Sequence, residues 1–92
     1  MNPETKIMRE IMEYLNTRRI YHVRINADVN TVGVPDILVC YKGRFIGLEV
    51  KTERGRPSGV QKATAEAIKE CGGVCVFPTN VREVEDVLSW FD

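Results

Sequence analysis

The sequence has little histidine and cysteine, and its charges cancel. Its 92 residues include one histidine, three cysteines, 13 basic and 13 acidic residues, for a formal net charge of zero. Structural zinc usually needs four Cys or His ligands at paired spacings, and the chain has neither the number nor the spacing. A Ser–His–Asp hydrolase is poorly supported, because the one histidine, His22, lies between Tyr21 and Val23 in a strand-like segment. There is also no Gly-rich phosphate-binding loop, so we expect no nucleotide cofactor.

Long apolar runs are missing as well. No segment approaches the roughly 20 apolar residues that span a bilayer, and no signal-peptide pattern opens the sequence, so we expect a cytoplasmic protein without a membrane partner. The odd number of cysteines fits reduced thiols, and the apolar neighbours of Cys40 and Cys75 predict that they are buried. We expect residues 1–92 to form a single domain, because a chain this short has room for one core. Such domains are marginally stable alone, which favours self-association.

The zero net charge hides a segregation of charge along the sequence. Residues 1–62 contain eleven Lys/Arg and seven Asp/Glu, a balance of +4, whereas residues 63–92 contain two and six, a balance of −4. Segregated basic residues favour phosphate contacts over a scattered solvated surface. The candidate DNA-binding residues are Lys6, Arg9, Arg54, Arg56 and Lys62.

Hydrophobic periodicity predicts an α/β fold with the element order α-β-β-β-α-β-α. Helices are predicted at 3–17, 58–70 and 80–90, strands at 20–25, 36–41, 44–51 and 74–77, and a polar loop at 26–33. A helix lies between the third and fourth strands. Parallel neighbouring strands need a crossover connection of this kind, so the order indicates a sheet with both antiparallel and parallel strands. The second and third strands are rich in Ile, Leu and Val, which predicts that both of their faces are covered. Trp90 and Phe91 are expected in a core or a dimer seam.

The second and third strands form a predicted hairpin with Lys42-Gly43 at its turn. In that register Asp36 falls nearly opposite Glu49, and cross-strand side chains lie about 5 Å apart. Lys51 projects from the same face as Glu49, because side chains alternate along a strand. Two carboxylates converging at the end of apolar strands are unfavourable unless a cation neutralises them. Oxygen ligands of this kind suit Mg²⁺ or Mn²⁺, and with a neighbouring lysine they provide what phosphodiester hydrolysis needs.

These residues resemble a known pattern. Pro35-Asp36 followed by Glu49-Val50-Lys51 is similar to the signature of PD-(D/E)XK nucleases. Gly33-Val34-Pro35-Asp36, Leu48-Glu49-Val50-Lys51 and the downstream Ser58-Gly59-Val60-Gln61 resemble, more narrowly, the VRR-Nuc family. The similarity covers essentially the whole chain. It implies a restriction-endonuclease-like mixed sheet with flanking helices.

The resemblance also implies roles for individual residues. Asp36 and Glu49 would bind the metal together with the backbone carbonyl of Val50. Lys51 would position the attacking water, and Gln61 would hold Lys51 or that water in place.

Families of this kind also tend to contribute a glutamate from the first helix. Glu4 fits best, because Ile7 and Ile11 follow it at +3 and +7, and Glu10 is its rival. Both glutamates also have simpler explanations. Glu4 could be present because an acidic side chain is stabilised at the positive end of the helix dipole, and Glu10 could be a solvated helix residue.

The other site residues also have ordinary structural explanations. Asp36 could be a turn residue after Pro35. Glu49 and Lys51 could lie on the solvated face of an edge strand. Gln61 could complete a capping box with Ser58, a role compatible with one in the site.

The family resemblance implies an Mg²⁺- or Mn²⁺-dependent endonuclease that cuts branched DNA, a Holliday-junction resolvase acting as a homodimer. Two alternatives belong to other classes: a non-catalytic module that binds branched DNA, and a scaffold domain in which Glu49 and Lys51 form a simple ion pair.

Overall fold

The computed structural model describes residues 1–26, 28 and 32–92, so residues 27 and 29–31 of the predicted loop at 26–33 lie outside the described part. The elements are α1 (Pro3–Thr17), β1 (Tyr21–Arg24), β2 (Ile37–Tyr41), β3 (Arg44–Leu48), α2 (Gly59–Glu70), β4 (Val74–Val76) and α3 (Val81–Ser89). The predicted order of helices and strands is confirmed. Within the described residues, no helix is long and apolar enough to cross a bilayer.

The first helix begins where its sequence predicts. The Asn2 side chain accepts a hydrogen bond from the Thr5 backbone N–H at 2.8 Å, and Pro3 occupies the first helical position. Apolar residues at helical spacing bury one stripe of α1, with Met8, Ile11 and Leu15 inside. This stripe attaches α1 to the sheet and thereby fixes the position of its N-terminal glutamate.

The four strands form one mixed sheet in the order β1-β2-β3-β4, with β1, β2 and β3 antiparallel and β4 parallel to β3. Lys42 and Gly43 both have positive φ, 50° and 78°, as a two-residue type I′ hairpin turn requires. The turn fixes the register, in which Ile37 pairs with Leu48. Continuing that register by one residue places Asp36 opposite Glu49, as predicted.

The two faces of the sheet are covered differently. One face carries Ile37, Val39, Ile46 and Leu48, all buried in the core against the helices α1 and α3. The opposite face is covered by α2 on its β3–β4 side: a side chain at Gly73 would lie 2.9 Å from Ile68 of α2. In the described part of the chain, no helix lies over the other half of that face.

The expectation of two covered faces was therefore wrong for part of the hairpin. Phe45 is exposed, and so is its cross-strand partner Cys40. The prediction of buried thiols also fails, because Cys40 and Cys71 are exposed and only Cys75 is half-buried. The physical reason is that a single helix, α2, is too narrow to cover four strands, since neighbouring strands lie about 4.8 Å apart and a helix is about 10 Å wide.

The C-terminal helix closes the core and reaches the hairpin turn. Val84, Val87 and Leu88 are buried, and Phe91 packs partly against the core. The Tyr41 hydroxyl donates to the Asp92 carboxylate at 2.6 Å, and the Lys42 ammonium lies 2.9 Å from the same oxygen. Trp90 is 64% exposed, so the chain itself does not bury it.

A close backbone contact beside the hairpin gives a stability prediction. A methyl group at Gly47 would lie 2.7 Å from Pro35 Cγ, whereas one at Gly59 would meet nothing within 4 Å. We expect Gly47→Ala to lower the free energy of unfolding by about 1–3 kcal/mol, because Pro35 must move, and Gly59→Ala to be neutral or stabilising. Urea unfolding of the two variants checks this. Equal stability of both would show that Pro35 does not pack on Gly47.

Candidate active site

Asp36 and Glu49 lie side by side at the end of the β2–β3 hairpin opposite its turn. The Val50 backbone N–H donates to Asp36 Oδ2 at 2.8 Å, which fixes the Asp36 carboxylate at the end of β3. The two carboxyl groups are close enough that Asp36 acts on the ionisation of Glu49. Glu49 is only 6% exposed, and it is the one buried charged residue in the described part of the chain.

The surroundings of Glu49 resist its ionisation. Burial raises its pKa to about 7, helped by the charge of Asp36 and by the hydrogen bond between the two carboxyl groups. The Lys51 ammonium partly opposes this rise, and Glu4 adds to it. A carboxyl pair that is hard to ionise fully is one that a divalent cation would stabilise in its charged form.

Backbone hydrogen bonds extend the parallel pairing of the sheet into the site. Beyond the ends of β3 and β4, the Glu49 N–H donates to the Val76 carbonyl at 2.9 Å and the Lys51 N–H to the Pro78 carbonyl at 3.0 Å. Glu49 and Lys51 are thus held by a regular ladder, with side chains on one face. The sheet rather than a loop positions the two residues.

Gln61 links the start of α2 to the acidic pair. Its Nε2 donates to Glu49 Oε1 at 3.1 Å. Its Oε1 accepts the Ser58 backbone N–H at 2.9 Å, and its own backbone N–H donates to Ser58 Oγ at 3.1 Å, which completes a capping box. The same side chain therefore caps the helix and contacts the site. Its side-chain partner in the site is Glu49. The role that the resemblance implies for Gln61, holding Lys51 or the attacking water in place, stays a prediction.

The first-helix glutamates differ in their relation to the site. Glu4 lines a cleft of about 370 Å³ together with Arg24 and Thr52, and its charge acts on Glu49. Glu10 is an exposed residue in the middle of α1. Its charge is not among the causes that raise the pKa of Glu49. The position of Glu4 agrees with its predicted role as the first-helix acid, a role that stays a prediction.

Thr52 is a residue that the sequence reasoning missed. It follows Lys51 directly, so strand alternation turns its side chain to the opposite face, toward the N-terminus of α1. The alternation of side chains along the strand is the sequence signal that could have identified Thr52.

The candidate DNA-binding residues are all exposed, but they lie at different places. Arg54 lines a second cleft with Pro3 and Thr52, directly beyond Lys51. The Arg56 guanidinium donates to the Gly55 carbonyl at 3.1 Å, so it is held within the same loop. The remaining three extend from α1 and from the first turn of α2: Lys6, Arg9 and Lys62. Arg54 shares its cleft with Thr52, which follows Lys51 in the sequence, and Lys62 directly follows Gln61, whose side chain contacts Glu49.

The residues present fit a hard divalent cation. The described residues contain no cluster of three or more His, Cys, Asp or Glu side chains, so the protein side chains would supply the two carboxylates of Asp36 and Glu49. Two carboxylates with the remaining positions filled by water and substrate oxygens suit Mg²⁺. Cys75 is not a competing soft ligand, because burial, together with the charge of Glu49, raises its pKa to about 11 and keeps it a neutral thiol.

The fold and this arrangement define a class: a mixed α/β domain with an acidic pair and a lysine at the end of its central hairpin. The chain is similar to a solved structure described as a VRR_NUC domain, with a TM-score of 0.81, 18% sequence identity and coverage of 100% of both chains. No protein-family model and no curated protein matches the sequence. At this identity the likeness shows the fold, and it confirms the resemblance to VRR-Nuc at that level.

Proposed function

We propose that the chain is a metal-dependent DNA endonuclease that hydrolyses phosphodiester bonds. The observation that carries this proposal is the convergence of Asp36, Glu49 and Lys51 at one end of the hairpin, with Glu49 buried and resisting ionisation. A scaffold domain would gain nothing from burying a carboxylate beside a second one, because each charge there lowers stability.

The chemistry follows from the placement of these side chains. Asp36 and Glu49 would hold the cation, and the carbonyl of Val50 is the proposed third protein ligand. A cation held there would supply Lewis-acid chemistry, the polarisation of a phosphoryl oxygen and a lowered pKa of a water molecule. The Lys51 ammonium orients the attacking water and stabilises negative charge that develops on the phosphate. Gln61 keeps the Glu49 carboxylate oriented through its Nε2 hydrogen bond.

We further propose that the substrate is branched DNA and that the enzyme is a Holliday-junction resolvase acting as a homodimer. Two sites related by a two-fold axis match the two strands that a four-way junction must have cut. The basic residues that follow Lys51 and Gln61 in the sequence, among them Arg54 and Lys62, would supply contacts to phosphates. The resemblance of the motifs to VRR-Nuc supports the same substrate class.

The substrate is tested with labelled four-way junction, linear duplex and single-stranded DNA, each with Mg²⁺, Mn²⁺ or EDTA. We expect symmetric cleavage of the junction with either metal, at least about 10-fold faster than cleavage of the duplex, and none in EDTA. Equal cleavage of all three DNAs would keep the nuclease and reject the resolvase. Junction binding without cleavage under any metal would identify a non-catalytic binding module instead.

The double role of Gln61 gives a separate prediction. Ser58→Ala removes the cap hydroxyl and should lower the free energy of unfolding by about 1 kcal/mol without changing the cleavage rate of folded enzyme. Gln61→Ala loses the cap and the Glu49 contact, so we expect a similar loss of stability and about 10-fold slower cleavage. Urea unfolding and single-turnover cleavage measure the two effects. Equal cleavage by both variants would restrict Gln61 to capping.

A further inference from the structure

The half of the sheet face that α2 leaves open is strongly apolar. Eight large apolar side chains are exposed in the described residues, and six of them lie on this face or at its border: Tyr21, Val23, Val32, Val34, Phe45 and Val60. Tyr21 and Phe45 share the face because both lie in register with Cys40 of β2. Val60 is at the border with α2, because a methyl group at Gly33 would contact both Val60 and Thr64, and Thr64 lines the same hollow as Phe45; Val32 and Val34 flank that glycine. We call this set the open half-face.

The open half-face has the wrong chemistry for DNA. The strand residues that point to it are uncharged, because the basic residues Arg24 and Arg44 alternate to the other face. Binding of a phosphate backbone depends on Lys and Arg. A protein surface is therefore the better match.

The area fits an interface between two protein chains. The exposed parts of these six side chains present an apolar area on the order of 500 Å². A standard interface buries about 800 Å² per partner, of which somewhat more than half is apolar. The open half-face alone thus supplies the apolar share that one side of a stable dimer needs.

The open half-face is also complementary to itself. Tyr21 protrudes from β1 with 70% of its surface exposed. A hollow of about 360 Å³ lies on the same face, with Phe45 of β3 and Ala67 and Ile68 of α2 among its lining residues. Two strand spacings, about 10 Å, separate Tyr21 from Phe45. Protrusion and hollow at this separation let two copies related by a two-fold axis each place a tyrosine in the other's hollow.

We propose that the open half-face is the surface through which two copies of this chain dimerise, with Tyr21 of each copy entering the hollow beside Phe45 of the other. The inference rests on the proposed function in that it names the surface of the proposed homodimer. It differs from the sequence expectation, which placed Trp90 and Phe91 in a dimer seam. Trp90 lies beside Val74 and Cys75 of β4, at the opposite edge of the sheet from Tyr21.

Sedimentation equilibrium of the wild type, Tyr21→Lys and the matched control Trp90→Lys tests the surface. Both side chains are largely exposed, so both variants should fold, as circular dichroism would verify. We expect twice the chain mass of 10.5 kDa for the wild type and for Trp90→Lys. Tyr21→Lys should raise the dimer dissociation constant at least about 100-fold, because each interface would bury an unpaired ammonium.

A monomeric wild type at about 100 µM, above the Kd expected of a standard interface, would overturn the inference. So would a Tyr21→Lys variant that dimerises as the wild type does, or a Trp90→Lys variant that does not. The junction-cleavage assay separates this inference from the proposed function. Cleavage by a monomer rejects the surface and keeps the nuclease, whereas a dimer that depends on Tyr21 but cleaves nothing keeps the surface and rejects the nuclease.

Discussion

Replacing Asp36 with asparagine is expected to lower the single-turnover rate of Mg²⁺-dependent junction cleavage by at least about 10³-fold. The substitution removes one of the two carboxylates that are proposed to hold the cation. It keeps an oxygen that can accept the Val50 N–H, a 2.8 Å hydrogen bond in the wild type, so the fold should survive. Lys51→Ala should slow cleavage by about 10²–10³-fold while leaving metal binding intact.

The matched control for Asp36→Asn is Asp86→Asn, the same chemical change at an exposed position of α3. We expect Asp86→Asn to cleave at the wild-type rate. Circular dichroism and urea unfolding establish that all three variants are folded. Cleavage that survives both Asp36→Asn and Lys51→Ala would remove these residues from the active site.

The second large effect concerns Glu49 and pH. The pKa of Glu49 is about 7 in the folded protein and 4.5 in its ordinary state. Between these values the folded state keeps a proton that the unfolded state has lost. The stability that Glu49 contributes is therefore fully present below pH 4.5 and is lost as the pH rises through 7. The shift corresponds to a loss of up to about 3 kcal/mol in the metal-free protein.

Glu49→Gln should remove this loss. In EDTA, the variant should gain up to about 3 kcal/mol of unfolding free energy relative to the wild type between pH 4.5 and pH 8, as urea unfolding at both pH values would measure. Mg²⁺ should stabilise the wild type at pH 8 and not the variant. The control Glu66→Gln, at an exposed position of α2, should track the wild type within about 0.5 kcal/mol. An equal difference between Glu49→Gln and wild type at both pH values would contradict the burial of an ionisable Glu49.

Much of the fold could be predicted from local sequence signals. Asn2-Pro3 marks the start of α1, and Lys42-Gly43 sets the hairpin register that brings Asp36 opposite Glu49. Turn chemistry and helix caps act over a few residues, so they are visible in the sequence. Which parts of the sheet are covered by helices could not be predicted in this way. The apolar run around Cys40 is typical of a strand buried on both faces, and only the tertiary placement of α2 shows that one face is open.

The candidate site, like the fold, could be predicted in part from the sequence. Strand alternation placed Glu49 and Lys51 on one face, and the spacing to Asp36 gave the pair. The partner of Gln61 was not readable, because the contact with Glu49 depends on how α2 sits against the end of β3. The cleft beside Glu4 was not readable either, since it forms between α1, Arg24 and Thr52, which are distant in sequence.

Divalent cation binding by Asp36 and Glu49 is the step on which the proposed nuclease depends, and a Mn²⁺ titration of the DNA-free protein tests it most directly. Electron paramagnetic resonance of free Mn²⁺ counts the bound ions at pH 8 for the wild type, Asp36→Asn and Asp86→Asn. The predicted result is binding by the wild type and Asp86→Asn that is weakened at least about 10-fold in Asp36→Asn. Equal binding by all three proteins, or none by the wild type, would contradict a metal site at the end of this hairpin.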